Sequence, residues 1–329
     1  MAKIQYHITN KSIGGGGRYI AMLKEILGAD LTISSIGSLT LQNIWGYLSS
    51  LLTCRNQPMV NVFGSQITLQ LGVFLVKGTK YYMPHGLFHG QSIYGLRRNL
   101  LILTLRWSKI RVICCGYEEY ENFIKVLGVS KCLLVPNTLN PIRQVEFKHR
   151  QKTFDYLPID LAKKRVLFCG NGIPQKGLTE LLKKWPAVGG SILLDVVGDH
   201  EHKNSYCELC LYQISTLENV QYLGEVSIKS DFLKIYDVVI ISSKFEGLPF
   251  FGLECISAGL PLMIPNKPGC RELAAFSNTY LYTLESFDSF SVQLGKALDC
   301  NEYQKQNLDE DPVWSLYDYN TFKEFWINV

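Results

Sequence analysis

Apolar runs of three to seven residues alternate along this chain with longer amphipathic stretches, and that alternation sets the expected elements. Ile4 to Thr9 reads as a short buried strand, followed by a loop through Ile13 and Gly14 to Gly17 and a helix from Arg18 to Leu27. Leu31–Ile36, Met59–Phe63, Lys80–Met83, Arg111–Cys115 and Leu133–Val135 have the density of apolar residues expected of strands buried on both faces. Between them, Leu41–Leu52, Leu96–Trp107 and Glu118–Leu127 carry helical periodicity. The pattern loosens and charge rises over Pro141 to Lys164, which reads as a linker. A second series then begins with strands at Arg165–Cys169, Ser191–Val197, Val220–Tyr222, Asp237–Ser242 and Leu260–Ile264, and helices at Leu178–Trp185 and from Phe250 to about Ala258. A strand–helix rhythm of this kind builds a parallel sheet covered on both faces, here twice in tandem. The expected division is residues 1–150 and 151–329, with an aromatic final helix over about 314–329 returning to the first domain.

Composition narrows the class. With 329 residues, 47% hydrophobic and 19% charged, there is ample apolar surface to offset chain entropy, which excludes disorder as the main state. The start of the chain has no apolar run fit for a secretory leader, and Val60 to Val76 carries too many polar residues to span a membrane. Ten cysteines without framework spacing suit reduced thiols, so the expected location is the cytoplasm. Charge is unevenly spread: residues 1–150 hold 17 Lys and Arg against 6 Asp and Glu, a net of +11, whereas the remainder is at −7. Glu25 and Asp30 are the only carboxylates before Glu118. Such a half attracts polyanions, but the basic residues follow no nucleic-acid recognition motif, so no nucleic-acid partner is expected.

Open doubly wound sheets bind ligands outside the carboxyl ends of their strands, so chemistry is sought in the loops found there. The most informative stretch is Ser243-Lys244-Phe245-Glu246-Gly247-Leu248-Pro249-Phe250-Phe251-Gly252-Leu253-Glu254, continuing to Ala258-Gly259-Leu260-Pro261. It sets two glutamates eight positions apart in apolar surroundings, the second in a helix whose first turn can hold phosphate on backbone N–H groups. Either carboxylate alone reads as a helix cap or a solvated side chain, but two together in such a setting need partners.

This segment resembles the signature of the GT-B glycosyltransferases, specifically the large retaining group with sucrose synthase and bacterial lipopolysaccharide-sugar transferases among its members. The loop from Gly170 and Asn171 to Lys176-Gly177 is similar to that group's Gly-Arg…Lys-Gly loop, with Asn171 where an arginine usually stands. Val197-Gly198-Asp199, Tyr222-Leu223-Gly224, Asp237, Pro84-His85-Gly86 and Val135-Pro136-Asn137 fit further landmarks. The resemblance implies transfer of a hexose or N-acetylhexosamine from a nucleotide-diphosphate sugar, with UDP favoured, to a lipid-linked glycan, as in O-antigen or capsule synthesis. It implies that Glu246, Lys176 and His85 work at the reacting sugar and its diphosphate. Glu254, Asn171, Gly170, Gly198, Leu223, Phe250, Phe251, Gly252, Gly15 and Gly16 would hold the donor, without an obligatory metal or other cofactor. Lys244 is the candidate to replace the missing arginine. A nucleotide-sugar epimerase on the same scaffold and a catalytically impaired sugar-nucleotide-binding protein are the alternatives.

Three further features were weighed from the residues. The glycine run does not fit a dinucleotide fingerprint, because Tyr19 or Ile20 falls where the third glycine belongs. His200, His202, Cys207 and Cys210 have zinc-ligand chemistry, yet a single Cys pair with loosely spaced histidines reads better as two thiols on successive helical turns. Gly95 to Trp107, both apolar and basic, reads either as a core helix with a charged edge or as a segment lying on an anionic membrane surface.

Overall fold

Strand segments buried most fully at the centre and only partly at the edges order themselves into two six-stranded, all-parallel sheets. The computed structural model describes residues 3–9, 15–53, 59–86, 95–139, 163–200, 204–226, 230–300 and 312–329. Gly14, His202 and nearly all of the expected linker, 141–162, lie outside the described residues.

The first sheet takes β1 (Lys3–Ile8), β2 (Leu31–Ser35), β3 (Met59–Phe63), β4 (Lys80–Tyr82), β5 (Arg111–Cys114) and β6 (Cys132–Leu134), in the order β2-β1-β3-β4-β5-β6. Its helices are α1 (Gly15–Leu27), α2 (Leu41–Thr53), α3 (Gln66–Gly72), α4 (Leu96–Trp107) and α5 (Tyr117–Leu127). The connection from β1 to β2 runs one way across the sheet and every later one runs the other way. Right-handed crossovers therefore set α2 to α5 on one face and α1 on the opposite face. Tyr47 and Leu51 of α2, Leu69 of α3, Leu101 and Leu105 of α4 and Phe123 of α5 accordingly share one core cluster with Phe63 and Val112 of the sheet.

The second sheet takes β7 (Lys164–Cys169), β8 (Ile192–Val197), β9 (Val220–Gly224), β10 (Val238–Ile240), β11 (Leu262–Pro265) and β12 (Thr279–Tyr282), in the order β12-β11-β10-β7-β8-β9. Its helices are α6 (Leu178–Leu182), α7 (Ser205–Ser215), α8 (Ser230–Leu233), α9 (Phe250–Ser257) and α10 (Phe287–Leu298). The final helix, α11 (Tyr319–Asn328), joins the first unit, where Trp326 Nε1 donates to Tyr19 Oη at 3.1 Å.

The chain thus divides into two compact units: Met1–Thr138 with Glu246–Leu248 and Tyr317–Val329, and Leu139–Phe245 with Pro249–Leu316. Among the described residues no helix is long and apolar enough to cross a membrane.

Four elements differ from those expected. The first helix begins at Gly15, inside the glycine run and ahead of the expected Arg18. Helix α3 sits in the stretch weighed as a membrane span and is started by Ser65, whose side chain accepts from Thr68 N. The helix at Leu178 stops after five residues and tightens into a 3₁₀ turn at Trp185–Ala187 beside Pro186. β12 and α10 belong to a tail with little punctuation, and α10 is capped by Ser286 accepting from Ser289 N.

Candidate functional site

In each sheet the direction of winding reverses once, between β1 and β3 in the first and between β7 and β10 in the second. Neighbouring loops part there and leave a crevice at the carboxyl ends of the strands.

Beside the second reversal, at the carboxyl ends of β7, β8 and β9, glycines let strand ends close on each other. Gly170 N donates to Val197 O and Gly198 N to Gly224 O. A Cβ on Gly198, whose φ is +137°, would lie 2.2 Å from Gly170 O. His200 is fully buried, and its Nε2 donates to Gly170 O at 2.8 Å; burial holds its pKa below the usual imidazole value. Tyr222 Oη donates to Gly198 O and accepts from His200 N. His200 and Tyr222 therefore brace the Gly170–Asn171 loop, a role that a single residue's identity in sequence does not announce.

Lys176 leaves this loop half-buried, packed over Gly170. Gly177 follows with φ +68°, and a Cβ there would lie 2.1 Å from Ser242 O, so the loop runs hard against the end of β10. Ser242 Oγ donates to Lys176 O, Lys244 N to Gln175 O and Gln175 Nε2 to Phe245 O. These bonds lace the Lys176 loop to the segment leading into Glu246. Lys244, the candidate substitute for the missing arginine, pairs instead with Glu180 at 2.6 Å, and Thr179 Oγ1 donates to the same carboxylate. That pairing holds Glu180 below the ordinary carboxylate value although burial opposes it.

Helix α9 opens after Pro249 with Phe250, Phe251 and Gly252, whose N–H groups belong to the turn that an α-helix cannot pair within itself. Gly252 also has a packing reason: a Cβ there would lie 2.4 Å from Leu273 Cδ1. Glu254 stands one turn further on, half-buried. The helix ends with Gly259 N donating to Ile256 O and Leu260 N to Cys255 O, a Schellman stop with φ +73° at Gly259. Ala258-Gly259-Leu260-Pro261 is thus a helix terminator. Leu223 lies half-buried on the edge strand β9, beside Gly224 but apart from the β7–β10 reversal. Asp237 sits at the other end of the strands, accepting from Arg165 N and Lys164 Nζ, where it pins β10 to β7.

The first reversal is built differently. It opens into a cavity of about 210 Å³ lined by Tyr6, Ile8, Thr9, Gly16, Ile20, Gly64, Ser65 and His85. Among the described residues no Lys, Arg, Asp or Glu contributes to that lining. Thr9 Oγ1 and Ser65 Oγ lie 2.7 Å apart, and His85 Nε2 lies 2.7 Å from Tyr6 Oη. Burial lowers the His85 pKa to about 4, so the ring is a neutral hydrogen-bonding group at physiological pH. Gly64 fits where a Cβ would strike the Tyr6 ring at 2.8 Å.

Among the described non-glycine residues only His85 has a positive φ, +49°, and Gly86 follows at +84°. A buried carboxyl holds this turn: Glu119 Oε1 accepts from Gly86 N at 2.6 Å and Oε2 accepts from Cys115 N at 3.1 Å. Burial raises the Glu119 pKa to about 7, against the lowering effect of those two donors. The turn in turn seats Glu246 and Gly247, since a Cβ on Gly86 would lie 2.3 Å from Gly247 N and 2.6 Å from Glu246 C. Asn137 Nδ2 donates to Leu248 O at 2.7 Å. Within this unit, then, the structure brings Glu246 beside the His85 turn. Glu119 escaped the sequence reading because a run of Glu118, Glu119 and Glu121 looks like a solvated helix start.

Cys207 and Cys210 are buried one turn apart on α7, and Cys207 Sγ donates to Gly172 O. Among the described residues no three His, Cys, Asp or Glu side chains gather as metal ligands.

Comparison with known proteins identifies the family and its fold. Residues 149–309 match the model of the glycosyl transferases group 1, and the chain belongs to that family, whose fold is GT-B. An O-antigen biosynthesis glycosyltransferase of Escherichia coli, WbnH, is 32% identical over 249 residues, which are 72% of this chain and 66% of that protein. The UDP-Gal:alpha-D-GlcNAc-diphosphoundecaprenol alpha-1,3-galactosyltransferase of E. coli is 27% identical over 233 residues, 64% of this chain and 59% of that one. The matches therefore span about two thirds or less of these relatives. Anabaena HepE, solved in complex with UDP-glucose, superposes with a TM-score of 0.79 at 13% identity, covering 100% of this chain and 99% of the other, which shows the shared fold.

Proposed function

We propose that this protein transfers a hexose or N-acetylhexosamine, with retention of configuration, from a UDP-sugar to a lipid-linked glycan in O-antigen or capsule assembly on the cytoplasmic side. The observation that carries this reading is Lys176, held at the β7–β10 reversal by the bonds from Ser242, Lys244 and Gln175 and by the close approach at Gly177. When the bond between the sugar C1 and the diphosphate oxygen breaks, negative charge grows on the β-phosphate. A pre-positioned ammonium group and the first turn of α9 stabilise that charge with no metal required. The acceptor hydroxyl attacks C1 on the face the diphosphate leaves. A departing phosphate oxygen takes the hydroxyl proton, giving the glycoside and UDP. Glu254 binds the ribose hydroxyls, and Glu246 and neutral His85 hold hydroxyls of the sugar. The hydroxyl and imidazole groups that the described residues bring to the first unit's cavity suit a glycan acceptor. The E. coli galactosyltransferase, whose name specifies a UDP-sugar and a diphosphoundecaprenol acceptor, supports the donor and acceptor classes.

Thermal unfolding with UDP-, GDP- and ADP-sugars, for wild type and Lys176→Ala, tests the donor site. Stabilisation of wild type by UDP-sugars alone, lost in the variant, is expected; equal response of the two proteins overturns the assignment. A second reading rests on Asn171, which supplies no charge where the family has arginine, and on Lys244 being engaged by Glu180. In that reading the protein binds the nucleotide sugar without turning it over, and release of free UDP by wild type but not by Lys176→Ala excludes it.

A further inference from the structure

On the face of the first unit that carries α2, α3 and α4, the side of each helix away from the core carries a stripe of large apolar side chains, on α2 beside exposed Gln42, Ser49 and Thr53 and on α3 beside exposed Gln70. On α4, Leu96, Leu100, Leu103 and Trp107 fall within about 60° of arc at 100° per residue, on the side away from buried Leu101 and Leu105. Leu96 is 75% and Trp107 80% exposed. Arg97 and Arg106 flank that stripe, one on each side. On α2, Leu41, Trp45 and Leu52 fall within about 40° of arc, and the helix carries no charge at all. On α3 and its last turn, Ile67 and Phe74 stand two helical turns apart, Phe74 66% exposed.

These helices are side-by-side neighbours on one sheet face and bury their other sides in one core cluster, so the three stripes belong to one surface. An apolar area spread over three helices exceeds what isolated exposed leucines explain. Its charge has one sign: residues 31–117 contain eight Lys and Arg and no Asp or Glu. Exposed Lys77, Lys109 and Arg111 extend the basic rim.

We propose that this three-helix face lies flat on an anionic lipid bilayer. Tryptophan and leucine would enter the headgroup boundary, and the arginines would reach the phosphates. A second copy of the chain is a poorer occupant, because a two-fold contact would set like charges against each other. The proposal deepens the location given above and would stand without sugar transfer, since it concerns a surface and not the crevices.

The test is co-sedimentation of the full chain with vesicles of phosphatidylglycerol and phosphatidylcholine, against phosphatidylcholine alone, at physiological salt and with no sugar present. Wild type is expected to pellet with the anionic vesicles. Trp45→Ser/Phe74→Ser/Trp107→Ser, which removes only exposed side chains, is expected to lower the partition about tenfold or more, and so is Arg97→Glu/Lys109→Glu. Circular dichroism melts check that both variants fold. Wild type remaining in the supernatant overturns the proposal, as does unchanged binding of the aromatic variant. So does a wild-type dimer, measured by sedimentation equilibrium, that the aromatic variant turns into monomer. None of these results touches the thermal-shift test of the donor site, so the two readings fail separately.

Discussion

The two sheets are wound alike, yet they treat charge in opposite ways. In the first, the interior holds a neutral histidine and a carboxyl bonded to backbone. His7 stacks on Phe63, accepts from Tyr47 Oη and donates from Nε2 to Asn61 Oδ1, with its pKa lowered to about 4 by burial, while Glu119 is held by backbone N–H groups. Among the described residues, the crevice at its strand reversal is lined without Lys, Arg, Asp or Glu. In the second, Arg165 and Asp195 form an ion pair buried between β7 and β8, and the reversal gathers Lys176, Lys244 and Glu180. Similar scaffolds thus gather different side chains at their strand reversals: neutral ones among the described residues of the first, charged ones in the second. The difference can be probed from both sides.

The largest expected effect is on stability. Arg165→Met leaves the Asp195 carboxylate buried and unpaired and should cost about 3–5 kcal/mol, read as a fall in the urea midpoint. The double variant Arg165→Met/Asp195→Leu should recover most of that loss, whereas additive losses would show that the pair is not the unit. Next comes catalysis. Lys176→Ala should lower kcat/KM about 10²- to 10³-fold, as expected for a lost charge-stabilising donor. His85→Ala should lose less, about tenfold, because a neutral ring contributes only hydrogen bonds. A His85 effect equal to that of Lys176 would break the contrast between the two reversals.

Backbone approach gives a smaller effect. Gly177→Ala should destabilise by about 1–3 kcal/mol and move the Lys176 loop, since its Cβ would overlap Ser242 O. Circular dichroism melts together with donor binding read both consequences. The smallest effect separates titrating groups of opposite sign. Folding favours neutral His7 and His85, so their contribution is present above about pH 6.5 and fades as pH falls toward 4. Glu119, raised from 4.5 to about 7, contributes in the opposite sense: stability is lost as pH rises between those values. Glu119→Gln removes only the second contribution. Its stability relative to wild type should therefore climb with pH across that window, by at most about 1.4 kcal/mol per pH unit. Urea titrations at several pH values measure the slope, and parallel curves would show that Glu119 is ionised throughout.

Most strands and helices were legible in the sequence, because buried parallel strands write continuous apolar runs and helix α4 was bounded by Gly95 and Ser108. The loops at the carboxyl ends were legible through Lys176, Glu246 and Glu254, since charged residues in apolar surroundings stand out. What escaped was whatever depends on distant residues meeting. His200, weighed only as part of a loosely spaced His and Cys set, braces Gly170; Lys244, the candidate substitute for an arginine, pairs with Glu180; Glu119, given no role beyond its helix, holds the His85 turn. The apolar outer stripes of α2 and α3 also went unread, because exposure is settled by the fold and not by hydropathy.

The tripeptide Glu246–Leu248 belongs to the first unit although its flanking residues belong to the second. Neither unit can therefore be lifted out as a self-sufficient cassette. Expressing 139–316 alone would strip Leu248 of the Asn137 amide that grips its carbonyl and leave Gly247 with no seat. Swapping second units between relatives would give a folded chain only if this short stitch is exchanged together with the His85 turn that receives it.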